Sequence, residues 1–222
     1  MSVTSPPSAA RTAVVAAALD LFAQQGFEST TVDQIARASG ISRSTFFRQF
    51  GGKDDVVFAD HDAVLQTLRD YLDTHHADPW EAVCEASLIA YRHFAADPEL
   101  ARRRYAVVRG VPALREREIV MVFQYERLFD EYLRRALPGI DPLDAVSFAA
   151  LVTAVHNHVL RQLLRGTKRV PVSVLRRALD KALARFGVGD AAVPASEELV
   201  VAVFPRRMPP AEIARRLRDE LT

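Results

Sequence analysis

Between residues 30 and 53 the chain reads TTVDQIARASGISRSTFFRQFGGK, and few folds accept helix signals spaced this closely. Thr31, three residues before Gln34, makes a capping-box pattern: the hydroxyl meets the third amide and the glutamine reaches back. Val32, Ile35 and Ala36 then give one apolar stripe. Ser39-Gly40 stops this helix, because glycine adopts the left-handed conformation of a helix end without penalty. Ser42 caps a second helix. In it Phe46 and Phe50, four residues apart, fall on one buried face. Arg43, Ser44, Phe47 and Arg48 fall on the opposite face. A short helix held from behind, with Ser, Arg and Thr at its N-terminus, has the form of a helix-turn-helix element that enters a DNA major groove.

The surrounding phrases extend the pattern. A preceding helix over 11–25 ends in Gln25-Gly26-Phe27, the turn is Ala38-Ser-Gly-Ile-Ser42, and Lys53-Asp54 opens a fourth helix. In this order about the first 55 to 60 residues resemble the DNA-binding domain of TetR-family (tetracycline repressor-like) transcriptional regulators. The rest of the chain resembles the family in helical layout. The resemblance implies an all-α fold, with a three-helix helix-turn-helix domain over residues 1–52. A helical effector-binding and dimerisation domain with a C-terminal extension would occupy 53–222. It further implies a homodimer on a palindromic double-stranded DNA operator, released by a small apolar or aromatic effector. Carried onto this chain, DNA contacts are expected from Thr31, Ser42, Arg43, Ser44, Thr45, Phe47, Arg48 and Lys53, with Lys53 on a phosphate. The family usually has tyrosine where this chain has Phe47, which can pack against sugar or a thymine methyl but cannot donate a hydrogen bond. The rival reading is a helical interaction protein that keeps the fold without ligand-controlled DNA binding.

Net charge is only +1 over 222 residues, so the whole-chain balance does not argue for nucleic acid. Position does: Arg37, Arg43, Arg48 and Lys53 cluster around the second short helix. A single cysteine, Cys84, excludes an internal disulfide framework and fits a reducing cytoplasm. The opening MSVTSPPSAA has neither a charged leader nor a long apolar run, so no signal peptide, membrane span or membrane partner is expected. It reads as a flexible arm.

Almost everything after residue 10 has helical period. Val15, Ala18, Leu19 and Phe22 mark the first inward stripe, and Val57, Phe58, Val64, Leu65, Leu68 and Leu72 that of a helix over 54–76. Asp78-Pro79, Asp97-Pro98, Pro112 and Asp141-Pro142 open further helices. The helix from Pro112 carries Ile119, Val120, Phe123, Leu128, Phe129, Tyr132 and Leu133. The helix over 143–164 is apolar nearly all round and therefore needs cover on more than one side. It could be the central core helix of a monomer; the TetR-family resemblance instead implies that it pairs, with the helix over 172–186, against its copies in a four-helix dimer interface. Residues 199–204 are the one strand candidate, and 211–221 the pattern of a short amphipathic helix.

No nucleophile elbow or Gly-rich phosphate loop is present, so no enzyme and no cofactor is expected. His156 and His158, two apart on a helix, diverge and do not make a metal pair. His75-His76 reads as a helix C-terminal cap, and Asp60-His61-Asp62 as a solvated face. The TetR-family resemblance implies an effector cavity among the fourth to eighth helices, with candidate contacts Phe58, Trp80, Leu88, Tyr91, Tyr105, Met121, Gln124, Tyr125, Phe129 and His156, an apolar set with a few polar tips whose members also read as ordinary core residues.

Overall fold

Aspartate followed by proline opens three of the long helices, for a simple reason. Proline lacks an amide that the first turn leaves unpaired anyway, and the carboxylate accepts from those that follow. Asp78 accepts from the Trp80 and Glu81 amides at 2.8 and 3.2 Å, Asp97 from Leu100 at 3.0 Å, and Asp141 from Leu143 at 2.8 Å. A computed structural model describes residues 9–166 and 168–187, which form nine helices among the described residues. They are α1 (Ala9–Gln25), α2 (Val32–Ala38), α3 (Arg43–Phe50), α4 (Lys53–Leu72) and α5 (Pro79–Ala96). They continue as α6 (Pro98–Gly110), α7 (Pro112–Ala136), α8 (Pro142–Arg165) and α9 (Val172–Arg185). The all-α expectation holds. The apolar run at 199–204, the helical pattern at 211–221 and the N-terminal arm up to residue 8 lie outside the described residues.

The helix ends follow local chemistry. Thr31 Oγ1 accepts from the Gln34 amide at 3.3 Å, and Gln34 Oε1 accepts from the Thr31 amide at 2.8 Å. Gln25 at the end of α1 donates to the same Gln34 oxygen at 3.0 Å, which ties α1 to the start of α2. Gly40 turns the chain with φ +68°, a conformation that costs a non-glycine residue roughly 1–2 kcal/mol. His76 donates to the Tyr71 carbonyl at 2.9 Å and closes α4 after Leu72, a little earlier than the period suggests.

Two apolar clusters share α4. Val56, Val57, Phe58 and Leu65 join the first, with α1, α2, α3, Leu100 and Val108 of α6, and Leu114 and Met121 of α7. Val64, Leu68 and Leu72 join the second, with α5, the far half of α7, α8 and α9. The three N-terminal helices are therefore seated on the helices that follow. Ion pairs strengthen this seat: Asp20 of α1 with Arg103 of α6, Asp60 of α4 with Arg104 of α6, and Asp55 of α4 with Arg117 of α7.

The long helices depart from their stripes in two informative ways. On α7 only Leu128, Phe129, Tyr132 and Leu133 of the sequence stripe turn inward, whereas Ile119, Val120 and Phe123 are 57%, 57% and 60% exposed. On α9 the apolar stripe is used internally, with Leu175, Leu179, Ala182 and Leu183 buried and Arg177, Asp180 and Lys181 facing out. Among the described residues α8 is the one helix long and apolar enough to cross a membrane by length and composition. Its Ala145, Phe148, Ala149, Val152, Val159 and Leu163 are instead buried in the second cluster, while Leu143 and Val146 stay exposed.

Candidate nucleic-acid interface and candidate effector cavity

The α3 helix owes its orientation to its two buried rings. Phe46 and Phe50 are 0% and 6% exposed and lie 5.2 Å apart, in the cluster of Leu19, Phe22 and Ile35. With that face fixed, Arg43, Ser44, Phe47 and Arg48 are exposed together. Ser42 accepts from the Thr45 amide at 3.1 Å and its hydroxyl lies 2.9 Å from that of Ser44, so the helix start is a compact group of hydroxyls. Arg43 sits over the Phe47 ring at 5.5 Å and reaches Asp33 of α2 at 3.4 Å. Both ends of this ion pair are solvated, so little energy holds Arg43 back from a better acceptor. Phe47 is held edge-on by Phe46, with centroids 5.9 Å apart. Thr31 and Ser42 stand at the N-termini of α2 and α3, where amides and dipole favour a phosphate.

Lys53 has other engagements. Its ammonium donates to the Phe27 carbonyl at 2.9 Å, lies 4.3 Å from the Phe27 ring and 3.7 Å from Glu28. It thus ties the start of α4 to the connection between α1 and α2. Lys53→Ala is expected to lower stability by on the order of 1 kcal/mol. The salt slope of DNA binding should stay unchanged, since a lysine already engaged by the Phe27 carbonyl and ring has no phosphate to neutralise. A slope shallower by about one unit would instead return Lys53 to the phosphate contacts.

The second site lies among α4, α5, α7 and α8. A void of about 60 Å³ is lined by Met121, Tyr125 and Phe129 of α7, by His156, Thr153 and Leu160 of α8, and by Ser87 and Phe94 of α5. A second void of about 50 Å³ is lined by Phe58, Arg104, Tyr105 and Val108. His61, Phe94, Glu118 and Leu160 line both. Six of the ten candidate contacts thus meet one or other void: Met121, Tyr125, Phe129 and His156 the larger, Phe58 and Tyr105 the smaller. Four stand apart. Trp80 packs against Phe148 and Phe186, Leu88 is buried in the second cluster, Tyr91 donates to the Val170 carbonyl at 2.7 Å, and Gln124 is exposed.

The polar groups of the cavity are nearly all desolvated. His156 Nδ1 lies 3.1 Å from both the Ser87 carbonyl and the Ser87 hydroxyl; the carbonyl can only accept, which favours a proton on Nδ1. Burial moves its pKa down to about 4, against a smaller upward pull from that hydrogen bond. His61 keeps some exposed surface, yet its ring lies among Phe94, Phe58 and Tyr125. Burial first, then the Arg104 cation and the neighbouring histidines, push its pKa down to about 3. Burial raises Glu118, with Arg161 opposing, and raises Tyr125, whose hydroxyl is 3.3 Å from His61 Nδ1.

The reading of 60–62 as a solvated face is therefore corrected. Asp60 is buried against Arg104, His61 lines the cavity, and Asp62 alone is exposed. A signal existed: Asp60 lies four after Val56 and four before Val64, and His61 three after Phe58, all inward positions. Arg104 sits likewise between Ala101 and Val108. Cys84 is buried, and burial pushes its thiol pKa up, as for an inert core residue.

Comparison with known proteins supplies the context. Residues 14–59 match the family of bacterial regulatory proteins named for TetR, and residues 77–187 match the MftR C-terminal domain. Over 126 residues, 55% of this chain, it is 31% identical to a candidate mycofactocin biosynthesis transcriptional regulator, MftR, of Mycobacterium tuberculosis. Over 127 residues, 57% of this chain, it is 34% identical to the HTH-type transcriptional regulator TcmR of Streptomyces glaucescens. The chain spans 63% and 53% of the lengths of these two relatives. In fold it is similar to a TetR-family regulator from Syntrophomonas wolfei, with a TM-score of 0.60 at 15% identity, covering 81% of this chain and 96% of that one. It is also similar to NalD, the secondary repressor of an efflux pump in Pseudomonas aeruginosa, with a TM-score of 0.56 at 22% identity, over 79% and 96%.

Proposed function

From its place in the TetR family, to which this chain belongs, we propose that the protein is a homodimeric, cytoplasmic transcriptional repressor released from DNA by a small effector. Residues 1–52 would read the operator, and the remainder would dimerise and hold the effector. The observation that carries this is the seating of α3: two buried phenylalanines turn Arg43, Ser44, Phe47 and Arg48 outward as one face. Two such faces related by a two-fold axis match two half-sites of a palindrome. The apolar cavity with converging polar tips supports an effector of apolar or aromatic body. At about 60 Å³ the larger void is well below the size of a drug-like site, so an effector would have to widen it. Opening it would displace α4 or α6, on which the DNA-reading helices sit, so effector and operator would favour different conformers.

The deciding experiment is a mobility shift on DNA upstream of the protein's own gene, with random DNA as control. Binding with a symmetric footprint supports the reading, and equal affinity for both DNAs overturns it. Within that assay Arg43→Ala is expected to remove roughly 1–3 kcal/mol of discrimination while leaving random-DNA affinity nearly unchanged, because an arginine on a guanine edge reads sequence. Equal losses on both DNAs would move Arg43 to a phosphate.

A further inference from the structure

Two residues that line the cavity carry buried donors without acceptors. Arg104 is 6% exposed; one terminal guanidinium nitrogen is bonded to Asp60 of α4, but its Nε–H has no partner. It lines the smaller void. Thr153, 5% exposed, lines the larger void, and its hydroxyl also lacks a partner. The two voids share His61, Phe94, Glu118 and Leu160, so modest side-chain movement joins them. Buried polar groups are ordinarily satisfied, and an unpartnered donor on a residue lining each void calls for a ligand that brings acceptors.

Resting on the reading of this space as the effector site, we propose that the effector is an aryl carboxylate. Its acid group is taken by Arg104, its ring lies along Phe94 toward Thr153, and it acts by drawing Arg104 away from Asp60. A carboxylate suits a guanidinium better than a neutral acceptor does, because the bonds are charge-assisted and the planar fork matches it. The aromatic walls suit an aryl body. Two acidic side chains bear on that acid: Glu118 lines both voids, and Asp60 lines neither but holds Arg104. Asp60 is the competitor the ligand displaces. Burial raises the pKa of Glu118, with Arg161 opposing, which lessens its repulsion of an incoming acid.

The consequence reaches the DNA-reading helices. Arg104 ties α6 to α4, and its neighbour Arg103 ties α6 to Asp20 of α1. Exchanging Asp60 for a ligand carboxylate loosens α6 from α4 while α6 still holds α1. A ligand shifts a conformational equilibrium only through a difference in its contacts between two states, and the exchanged partner of Arg104 is that difference.

The test uses the full chain with 2-naphthoate and 2-naphthamide, read by calorimetry and by melting temperature. Wild-type protein is expected to bind the acid at least tenfold more tightly than the amide, and Arg104→Gln to erase that preference. Asp60→Asn removes the competing carboxylate: the acid should bind at least tenfold more tightly than to wild type and restore the melting temperature that the substitution lowers, whereas the amide should not. If Arg104→Gln fails to fold, this rescue decides alone. Equal affinity of wild type for acid and amide, or absence of rescue, overturns the acid preference and leaves the cavity reading standing. Binding of neither compound overturns both.

Discussion

Val146→Glu and Phe123→Glu should each yield a folded monomer whose operator affinity falls by about 10²–10⁴. That range is what is lost when two linked contacts become one. Both side chains are exposed in the single chain, Val146 at 37% and Phe123 at 60%, so a charge there meets water and leaves the fold intact. Leu143 on α8 at 68% and Ile119 and Val120 on α7 at 57% are further exposed apolar side chains of these two helices. In a dimer that covers this face the new carboxylate would be buried without a partner, and an uncompensated buried charge is strongly destabilising. The control is Leu179→Glu on α9. Leu179 is 0% exposed inside the second cluster, so this substitution should unfold the protein rather than split it. Sedimentation and circular dichroism separate the outcomes. If both surface variants remain dimeric at micromolar concentration, the second copy does not sit on α7 and α8.

Acid should destabilise the protein well before its carboxylates are neutralised. His61 and His156 titrate at about 3 and about 4 in the fold, against an ordinary 6.5. The unfolded chain therefore takes up both protons first as pH falls. Stability from the neutral buried rings is whole above about pH 6.5 and is lost progressively as pH falls toward about 4 for His156 and about 3 for His61. Each group contributes a slope of about 1.4 kcal/mol per pH unit within its window. The two together should lower stability by a few kcal/mol near pH 5, on the order of a third of what a domain has. Urea titrations at pH 7.5, 6 and 5 measure it. His156→Gln and His61→Gln should each flatten the dependence by about one group's share. An unchanged profile in both variants would mean that the rings are hydrated and titrate normally.

These outcomes divide along the line between local and distant information. Helix limits were legible because their causes lie within four residues: the Thr31–Gln34 box, the Asp-Pro starts at 78, 97 and 141, and Gly40 after α2. The same holds for α3, where Phe46 and Phe50 are an i, i+4 pair and the outward face follows by helical period. Period names the faces of a helix but not what covers them. Ile119, Val120 and Phe123 share the apolar character of Phe129 and Leu133 and differ in that, among the described residues, no helix lies over them. In the same way α9 reads as partner-seeking, yet α5 and α8 already occupy its apolar side. Charge at an inward position, as at Asp60 and Arg104, is a visible anomaly. Its resolution is not, because the partners are 44 residues apart on different helices. Lys53 met the Phe27 carbonyl, and His61 met Tyr125, by the same kind of distant approach. The sequence by itself determined the nine described helices, their caps and the outward face of α3, since each depends on interactions along one short stretch of backbone. Tertiary structure alone decided which apolar faces stay open, which charges pair and which side chains enclose the cavity, because those depend on contacts between helices far apart in the chain.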